Sequence, residues 1–335
     1  MSDKINLLVN LPPGFFAAPI LKPAFARLAK IARLRKRSHN TPDEIRRDLA
    51  WADAVLMWSW PMLSDELLGQ APRLRFAAQL DISQAAARIA LQRGLPVSVG
   101  RPAWTPAVAE MALTLILGTL RRTSTYHAAM RAGREAWVRV FPTDVDPLER
   151  ELTGRAVGIV GFGAIGRRLG ELLQPFRCDL RIADPFLPEG VGKPYGARRV
   201  ALAELVRKSD IVVLSAASNE GTRHLIGKRE IAAMPKGAIL VNVARAALVD
   251  TDALVARLRK GDLFAAIDVF DQEPLPKSSP LRKLPNAFLT PHRAGGVLAS
   301  VERIIGGLVG DLENHLAGRP LRWPLTERMV PALDR

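Results

Sequence analysis

Cysteine is almost absent from this chain of 335 residues, in which Cys178 is the single one. A lone thiol cannot close an internal disulfide, so a disulfide-stapled secreted scaffold is excluded and a reducing cytoplasm is favoured. Histidine is scarce as well, with five residues in all, and the sequence predicts no metal site. Because histidines are few, the position of each one is informative.

Long hydrophobic runs are absent too. The longest, MALTLILGTL at 111–120, lies between Glu110 and Arg121 and falls well short of the ~20 apolar residues that span a bilayer. The N-terminal stretch MSDKINLLVN has an early acidic residue and an apolar run of strand length, which is unlike a secretory signal. The sequence therefore predicts a cytoplasmic protein with no membrane partner.

Acidic residues are fewer than basic ones: 33 Asp and Glu stand against 48 Lys and Arg, which gives a net charge of +15. Such a balance suggests nucleic acid as a partner. However, the densest basic run, KIARLRKR at 30–37, contains no aromatic residue, and its alternation is typical of an edge strand with a solvated face. We therefore expect no nucleic-acid partner and a positive field that attracts small anions.

The composition, 48% hydrophobic and 24% charged, is that of a globular protein, and the length predicts about two domains. Short apolar runs alternate with amphipathic segments, first over about 100 residues and again from about residue 156. This alternation predicts an α/β fold with two doubly wound parallel sheets. Thr41 before Pro42, and Ser64, are expected to cap helices. The last helical segment, at 300–318, is expected to pack on the first domain.

The strongest motif is GRAVGIVGFGAIGRRLG at 154–170, which contains the spacing GxGxxG directly after an apolar strand and at the start of a helix. This context is typical of dinucleotide-binding folds. The first glycine permits a tight turn, the second lets the backbone approach a pyrophosphate, and the third lets helix and strand pack closely. The helix start presents N–H groups to the phosphates. The predicted cofactor loop comprises Gly161, Phe162, Gly163, Ala164, Ile165 and Gly166.

Asp184, in IADPF, ends the strand that follows this helix. Its carboxylate can accept both hydroxyls of an adenosine ribose and would repel a 2′-phosphate. No arginine follows it immediately. The sequence therefore favours NAD over NADP as the cofactor.

Three further stretches have the character of strand-end loops: NVARAALVD, AIDVFDQEPLP and LTPHRAGG. Ligands of doubly wound sheets bind at the carboxyl ends of the strands, so Arg245, Glu273 and His292 are expected to converge there. The alternative is a set of surface loops with unrelated charges. Three such loops after a nucleotide motif favour a shared site.

With these motifs in their order and spacing, the chain resembles the D-isomer-specific 2-hydroxyacid dehydrogenases from about WADAVLMWS to GRPLR. The resemblance implies a Rossmann NAD-binding domain at 102–295. It also implies that this domain is inserted into a discontinuous, flavodoxin-like substrate domain at 1–101 and 296–335. Members of the family are usually homodimers through the cofactor domain, so a homodimer is expected.

The resemblance also implies roles for the site residues. Arg245 would hold the carboxylate of a 2-oxo acid, because a guanidinium can donate two parallel hydrogen bonds. His292 would be the general acid or base for the carbonyl oxygen, and Glu273 would favour its protonated form. Asp268 matches the family residue that orients the nicotinamide carboxamide, and Thr105 matches a threonine that contacts the cofactor.

The substrate pocket departs from the family pattern. The glycine-rich turn expected within AAQLDISQAAARIA at 77–90 is missing, and Gln79 and Leu80 take its place beside the negative charge of Asp81. Trp58 and Trp60 either pack in the core or form an aromatic wall that favours a bulky 2-oxo acid. Two smaller departures are Ala246, where glycine is common, and Arg293, which lies beside the expected acid.

We therefore expect an NAD-dependent oxidoreductase that interconverts a D-2-hydroxy acid and its 2-oxo acid. One alternative is an enzyme of the same fold with another donor, such as 3-phosphoglycerate, formate or a phosphonate. The other is a binding protein that senses NAD(H), as corepressors of similar sequence do.

Overall fold

The structure, a computed structural model, describes residues 4–58 and 63–333. It has two compact units. The first comprises Met1–Trp104 together with Gly296–Arg335, and the second comprises Thr105–Gly295. Each unit is built around its own parallel sheet.

The sheet of the first unit has five parallel strands in the order β2-β1-β3-β4-β5, the flavodoxin-like order. The strands are β1 (Ile5–Asn10), β2 (Ala32–Arg37), β3 (Ala54–Met57), β4 (Phe76–Gln79) and β5 (Val97–Val99). The helices are α1 (Pro13–Ala17), α2 (Lys22–Ile31), α3 (Pro42–Trp51), α4 (Asp65–Gly69), α5 (Gln84–Gln92) and, from the C-terminal part of the chain, α12 (Leu298–Leu316). The basic strand β2 lies at the sheet edge, as its alternation predicts.

Two of these helices begin at the predicted caps. At the start of α3, the N–H of Glu44 donates to Thr41 Oγ1 (3.4 Å) and the Glu44 carboxylate accepts from the N–H of Thr41 (3.2 Å). This reciprocal capping box satisfies two backbone donors at once. Ser64 Oγ accepts from the N–H of Leu67 at the start of α4 (3.2 Å). Both cap predictions are confirmed.

Helix α12 completes the core on one face of the first sheet. Its buried apolar residues pack there together with α2. Asp311, fully buried on this helix, accepts hydrogen bonds from Ser98 of β5 and from the N–H groups of Arg322 and Trp323. These contacts attach the C-terminal stretch to the sheet, so the last segment packs where the sequence predicts.

The sheet of the second unit has seven parallel strands in the order β12-β11-β10-β9-β6-β7-β8. The strands are β6 (Ala156–Val160), β7 (Asp179–Ala183), β8 (Arg198–Arg199), β9 (Ile211–Leu214), β10 (Ile239–Asn242), β11 (Phe264–Ile267) and β12 (Ala287–Leu289). The helices are α6 (Thr105–Leu120), α7 (Thr123–Arg131), α8 (Ala164–Leu173), α9 (Leu202–Lys208), α10 (Lys228–Ala233) and α11 (Thr251–Leu258). Strands β7 and β8 are added on one side of β6, and strands β9 to β12 are added on the other side. Doubly wound folds bind ligands at such a reversal of strand order, here between β6 and β9.

The predicted fold class, α/β with two doubly wound parallel sheets, is confirmed. Six of these helices and strands were not predicted: α1, α2, α5, α7, α10 and β8. Helix α7 has no buried residue.

The apolar run at 111–120 belongs to a longer helical stretch than its own length suggests. Among the described residues, Arg101–Leu120 is the single stretch long and apolar enough, by length and composition, to cross a membrane, and half of it is buried in the structure. Within the second unit, α6 packs against α8, β10 and β11. This burial is what the core helix of a globular protein shows.

Candidate active site

The glycine-rich loop connects β6 to α8 at the point where the strand order reverses. Gly161 has φ +82°, and a Cβ there would lie 2.5 Å from backbone atoms of Ala216. A Cβ on Gly166 would lie 2.5 Å from the carbonyl oxygen of Gly161. A Cβ on Gly163, by contrast, would meet no heavy atom within 4 Å. Two glycines are therefore required by the protein's own packing, and the third leaves open space.

Helix α8 begins with Ala164 and Ile165, and its N-cap residue Gly163 makes no side-chain hydrogen bond. The helix therefore has no side-chain cap on its first N–H groups, which carry the positive end of the helix dipole. Phe162 differs from its neighbours in the loop. Its ring is fully buried and packs edge to face on Tyr195 (5.1 Å), and its N–H donates to Asp184. Phe162 therefore anchors the loop.

Asp184 follows β7, the strand next to β6, and is half-buried. Its Oδ2 accepts the N–H of Phe162 (2.9 Å) and its Oδ1 accepts the N–H of Phe186 (3.0 Å). Each oxygen keeps a second lone pair for a ribose hydroxyl. Open space at the second glycine, an uncapped helix start and an oriented carboxylate together fit a dinucleotide.

A carboxylate and an imidazole form a close pair at the ends of β11 and β12. Nδ1 of His292 lies 2.7 Å from Oε2 of Glu273, and the other oxygen of Glu273 accepts the N–H of Phe270 (2.9 Å). Burial alone would raise the pKa of Glu273, but these two hydrogen bonds and the charges of His292 and Arg245 hold this pKa below its ordinary value. Glu273 is therefore a carboxylate near neutral pH, and the ring nitrogen Nε2 is left for other partners.

The backbone of His292 is unusual, because its φ of +50° places it in the left-handed region. This conformation costs a residue other than glycine about 1–2 kcal/mol. The N–H of His292 is held by the carbonyl oxygens of Asp268 (2.8 Å) and Thr290 (3.0 Å). Strained residues of this kind persist where the surroundings over-determine them, and they cluster at functional sites.

Asp268 lies directly after β11 and is fully buried. Its Oδ1 accepts hydrogen bonds from Thr290 Oγ1 (2.5 Å) and from the N–H of Arg293 (2.9 Å). Its Oδ2 accepts the N–H of Ala294 (2.8 Å). The carboxylate is thus surrounded by donors from the loop that carries His292.

Arg245 follows β10, the neighbour of β11, and is exposed. Its guanidinium donates to the carbonyl oxygen of Ala244 (2.8 Å), and its charge contributes to the lowered pKa of Glu273. The buried side chain of Asn242 shapes this turn, donating to the carbonyl of Arg245 (3.0 Å) and accepting from the N–H of Ala244 (3.0 Å). Ala246 begins a short 3-10 helix and does not have positive φ, so glycine is not needed there.

The predicted substrate residues lie in the first unit, and Trp60 falls outside the described residues. Gln79 and Leu80 are buried, with 1% and 7% of their surface exposed. The half-buried Trp58 packs edge to face with Phe15 (4.7 Å) and with Trp104 (6.1 Å). Trp58 is therefore part of an aromatic cluster beside the core.

Asp81 and Thr105 can also be placed. Asp81 Oδ1 accepts the N–H of Ile82 (2.9 Å) and lies 3.5 Å from a guanidinium nitrogen of Arg101. This ion pair compensates the negative charge that the sequence puts beside the missing glycine turn. Thr105 is the half-buried first residue of α6. Within residues 4–58 and 63–333, no group of three or more His, Cys, Asp or Glu side chains could hold a metal ion.

Comparison with known proteins identifies the family to which these site loops belong. The family model for the NAD-binding domain of D-isomer specific 2-hydroxyacid dehydrogenases matches residues 113–294. The chain belongs to this family. All three strand-end loops, with Arg245, Glu273 and His292, lie in the matched region.

Several relatives of this dehydrogenase match most of its length. A glyoxylate reductase from Aeropyrum pernix is 37% identical, over 80% of this chain and 83% of the relative. Glyoxylate/hydroxypyruvate reductase B from Yersinia enterocolitica is 32% identical, over 78% and 82% of the two chains. The crystal structure of a phosphoglycerate oxidoreductase from Rhizobium etli superposes with a TM-score of 0.81 at 26% identity, covering 95% and 97%.

As a D-isomer specific 2-hydroxyacid dehydrogenase, the protein is an oxidoreductase that uses a nicotinamide dinucleotide and interconverts 2-hydroxy acids and 2-oxo acids. The predicted family and enzyme class are therefore confirmed. What the motifs did not reveal are the residues that hold the dehydrogenase's site loops, Asn242 and Thr290. A polar residue at the end of a buried strand was the available signal, since such side chains often bond to the backbone of the following turn.

Proposed function

We propose that this dehydrogenase uses His292 as its general acid and base, Glu273 as the partner of that imidazole, and Arg245 to bind the substrate. The observation that carries the proposal is the 2.7 Å contact between the imidazole and an ionised carboxylate. A ring held through Nδ1 has one tautomer and one orientation, and Nε2 is its reacting nitrogen.

Each residue has a distinct task in the reduction of a 2-oxo acid. The guanidinium of Arg245 binds the carboxylate of the 2-oxo acid and polarises its carbonyl group. A guanidinium suits this task because it is planar and can donate two parallel hydrogen bonds. His292 gives the proton on Nε2 to the carbonyl oxygen and takes it back in the oxidative direction. The carboxylate of Glu273 stabilises the imidazolium from which this proton comes. When bound, the cofactor supplies or accepts the hydride.

We propose NAD as the cofactor. The open space at Gly163 lets the pyrophosphate approach the start of α8, and Asp184 binds the ribose hydroxyls and repels a 2′-phosphate. Ala164 and Ile165 supply the first N–H groups of the helix, while Phe162 supports the loop. Thr105 is a further proposed contact of the cofactor.

For the substrate we propose a small D-2-hydroxy acid and its 2-oxo acid, first of all glyoxylate and hydroxypyruvate, the substrates named in the relatives. Trp58, Gln79 and Leu80 are proposed to shape its pocket, together with Trp60, which lies two positions after Trp58 in the sequence. A phosphorylated substrate is favoured by the net charge of +15 and belongs in the same test.

The test is a measurement of NADH and NADPH oxidation with a panel of 2-oxo acids, small, branched, aromatic and phosphorylated. His292→Asn is run in parallel as the control. We expect turnover with NADH on at least one small member and a loss of about 100-fold or more in the variant. Equal turnover by His292→Asn would refute the assignment of the acid. Absence of turnover with tight NADH binding would favour the NAD(H) sensor.

We also propose that the enzyme is a cytoplasmic homodimer. Exposed large apolar side chains concentrate between Tyr126 and Leu148, a segment of the second unit that we call the apolar arm. Among the described residues it holds eight of the twelve such side chains, Phe141 with 81% of its surface exposed. Apolar patches of this kind mark interfaces, and most soluble oligomers are symmetric dimers. A second copy of the chain is the proposed partner.

A further inference from the structure

We propose that Arg167, in the first turns of α8, is a further cofactor-binding residue whose guanidinium binds the pyrophosphate of the dinucleotide. The motif GxGxxG does not include this side chain, because Arg167 follows the last glycine. The inference deepens the proposed function and rests on the proposed path of the phosphates at Gly163. The closing experiment therefore includes a variant that tests that path separately.

The first argument is the direction of the side chain. Side chains of a helix tilt toward its N-terminus, and residues three or four positions apart share one face. Arg167 lies three positions after Ala164 and four after Gly163, and all three residues are exposed, whereas Gly166 between them is buried. The side chain of Arg167 therefore lies on the face of the helix start where Gly163 leaves open space.

The second argument is the contact that holds the guanidinium. Nε of Arg167 donates a hydrogen bond to the carbonyl oxygen of Phe162 (3.2 Å), the residue that anchors the glycine-rich loop. The bond fixes the guanidinium beside this loop. Its Nη1 and Nη2 groups bond to no residue that the structure describes. The N–H groups on these two nitrogens can therefore donate to an anion.

The third argument is the charge around the loop. Both phosphates of a pyrophosphate are negative, whereas the start of a helix contributes only about half a positive charge. The carboxylate of Asp184 lies beside the same loop, where it accepts the N–H of Phe162 (2.9 Å), and it repels phosphates. Arg167 supplies a full positive charge at this place. A guanidinium also donates two parallel hydrogen bonds to phosphate oxygens.

The next residue, Arg168, has a different environment. Its Nη1 donates to Oε2 of Glu171 on the same helix (2.8 Å), and both side chains are partly exposed. The charge of Arg168 is therefore already compensated by a carboxylate. Arg168 has the same size and charge as Arg167 but no hydrogen bond to the glycine-rich loop, so it is a matched control.

The experiment compares Arg167→Gln with Arg168→Gln. Both variants remove one positive charge from the same part of α8 and keep a long polar side chain. Dissociation constants are measured by titration for NADH, NADPH and ADP, and for adenosine, which lacks the pyrophosphate. The NADH titration is repeated at high ionic strength. Melting temperatures report on folding, and kcat at saturating NADH reports on the reaction.

We expect Arg167→Gln to raise the dissociation constants of NADH and ADP about tenfold, the loss typical of one charged hydrogen-bonded contact. Binding of adenosine should not change, since adenosine has no phosphate. The affinity for NADH should depend less on ionic strength than in the wild type, because one screened pair of charges is lost. The kcat at saturating NADH should be that of the wild type, as the residue touches no reacting atom. Arg168→Gln should behave as the wild type throughout.

Three results would overturn the proposal. Wild-type affinity of Arg167→Gln for NADH and ADP would show that the guanidinium binds no phosphate of the pyrophosphate. A loss confined to NADPH would indicate contact with the 2′-phosphate instead. An equal loss in Arg168→Gln would attribute the effect to the general positive charge of the helix.

The variant Gly163→Ala separates these results from failure of the proposed path. If Gly163→Ala binds NADH as the wild type does, the phosphates approach elsewhere and the proposed path fails. If Gly163→Ala loses affinity and Arg167→Gln does not, only the role of Arg167 fails.

Discussion

At the scale of single residues, the reactive pair depends on neighbours that hold its charge and geometry. Glu273 is half-exposed, yet its pKa is lowered, because the hydrogen bonds from His292 and Phe270 and the nearby charges outweigh the effect of burial. A lowered pKa means that the carboxylate form is favoured by folding above the ordinary pKa of 4.5 and is lost only as the pH falls through the lower, folded value. The pair therefore keeps its negative member throughout the neutral range.

The variant Glu273→Gln removes the negative charge of this side chain and keeps its size. The amide can still accept a hydrogen bond from Nδ1, but it no longer stabilises the imidazolium, so we expect kcat for reduction to fall about 100-fold. The pH above which reduction declines should also move down. Rates of NADH oxidation from pH 5 to pH 9 would check this; a variant with the wild-type profile would show that the carboxylate does not act on the acid.

At the scale of elements, the turn from β6 to α8 uses three glycines for three different reasons. Gly161 needs its positive φ and has no room for a Cβ against Ala216, and Gly166 has none against the turn itself. Gly163 faces open space, so nothing in the folded protein requires a glycine there. If the pyrophosphate approaches as proposed, it is this ligand that requires a residue without a Cβ at position 163.

The variants Gly163→Ala and Gly161→Ala should therefore behave differently. We expect Gly163→Ala to keep the melting temperature and to raise the dissociation constant of NADH about tenfold, which corresponds to ~1.4 kcal/mol. Gly161→Ala should lower the free energy of unfolding by about 1–3 kcal/mol, because strain is added to a steric clash. Thermal unfolding and NADH titration measure both quantities, and normal NADH binding by Gly163→Ala would contradict the proposed path of the phosphates.

At the scale of the whole molecule, the apolar arm is the feature that a single chain does not explain. Trp137 and Phe141 have 60% and 81% of their surfaces exposed, and helix α7, which overlaps the start of the arm, buries none of its residues. Side chains of this size are rarely left in water at such density in a monomer. In the proposed dimer, a second copy of the chain covers these side chains.

The double change Trp137→Ser with Phe141→Ser should convert a dimer into a monomer. We expect light scattering to give twice the mass of one chain for the wild type and the mass of one chain for the variant, because the interface loses its large apolar contacts. Leu298→Ser, at a position with 71% of its surface exposed outside the arm, is the matched control and should leave the mass unchanged. A wild-type mass of one chain would refute the proposed dimer.

The sequence by itself determined what depends on neighbours along the chain. Local sterics and hydrogen bonds between residues close in sequence determine the caps at Thr41 and Ser64, the edge character of β2 and the glycine turn after β6. Each of these features can be predicted from a few consecutive residues. The class of fold followed from the alternation of such elements, and the family from the order of four motifs.

Only the tertiary structure decided how the distant segments meet. The parallel strands β10, β11 and β12 pair in turn, so their carboxyl ends lie side by side although connecting segments, one of which contains α11, separate them in sequence. That arrangement places Glu273 against His292 and Phe162 against Asp184. It also brings the carbonyl oxygen of Asp268, which follows β11, to the N–H of His292, which follows β12.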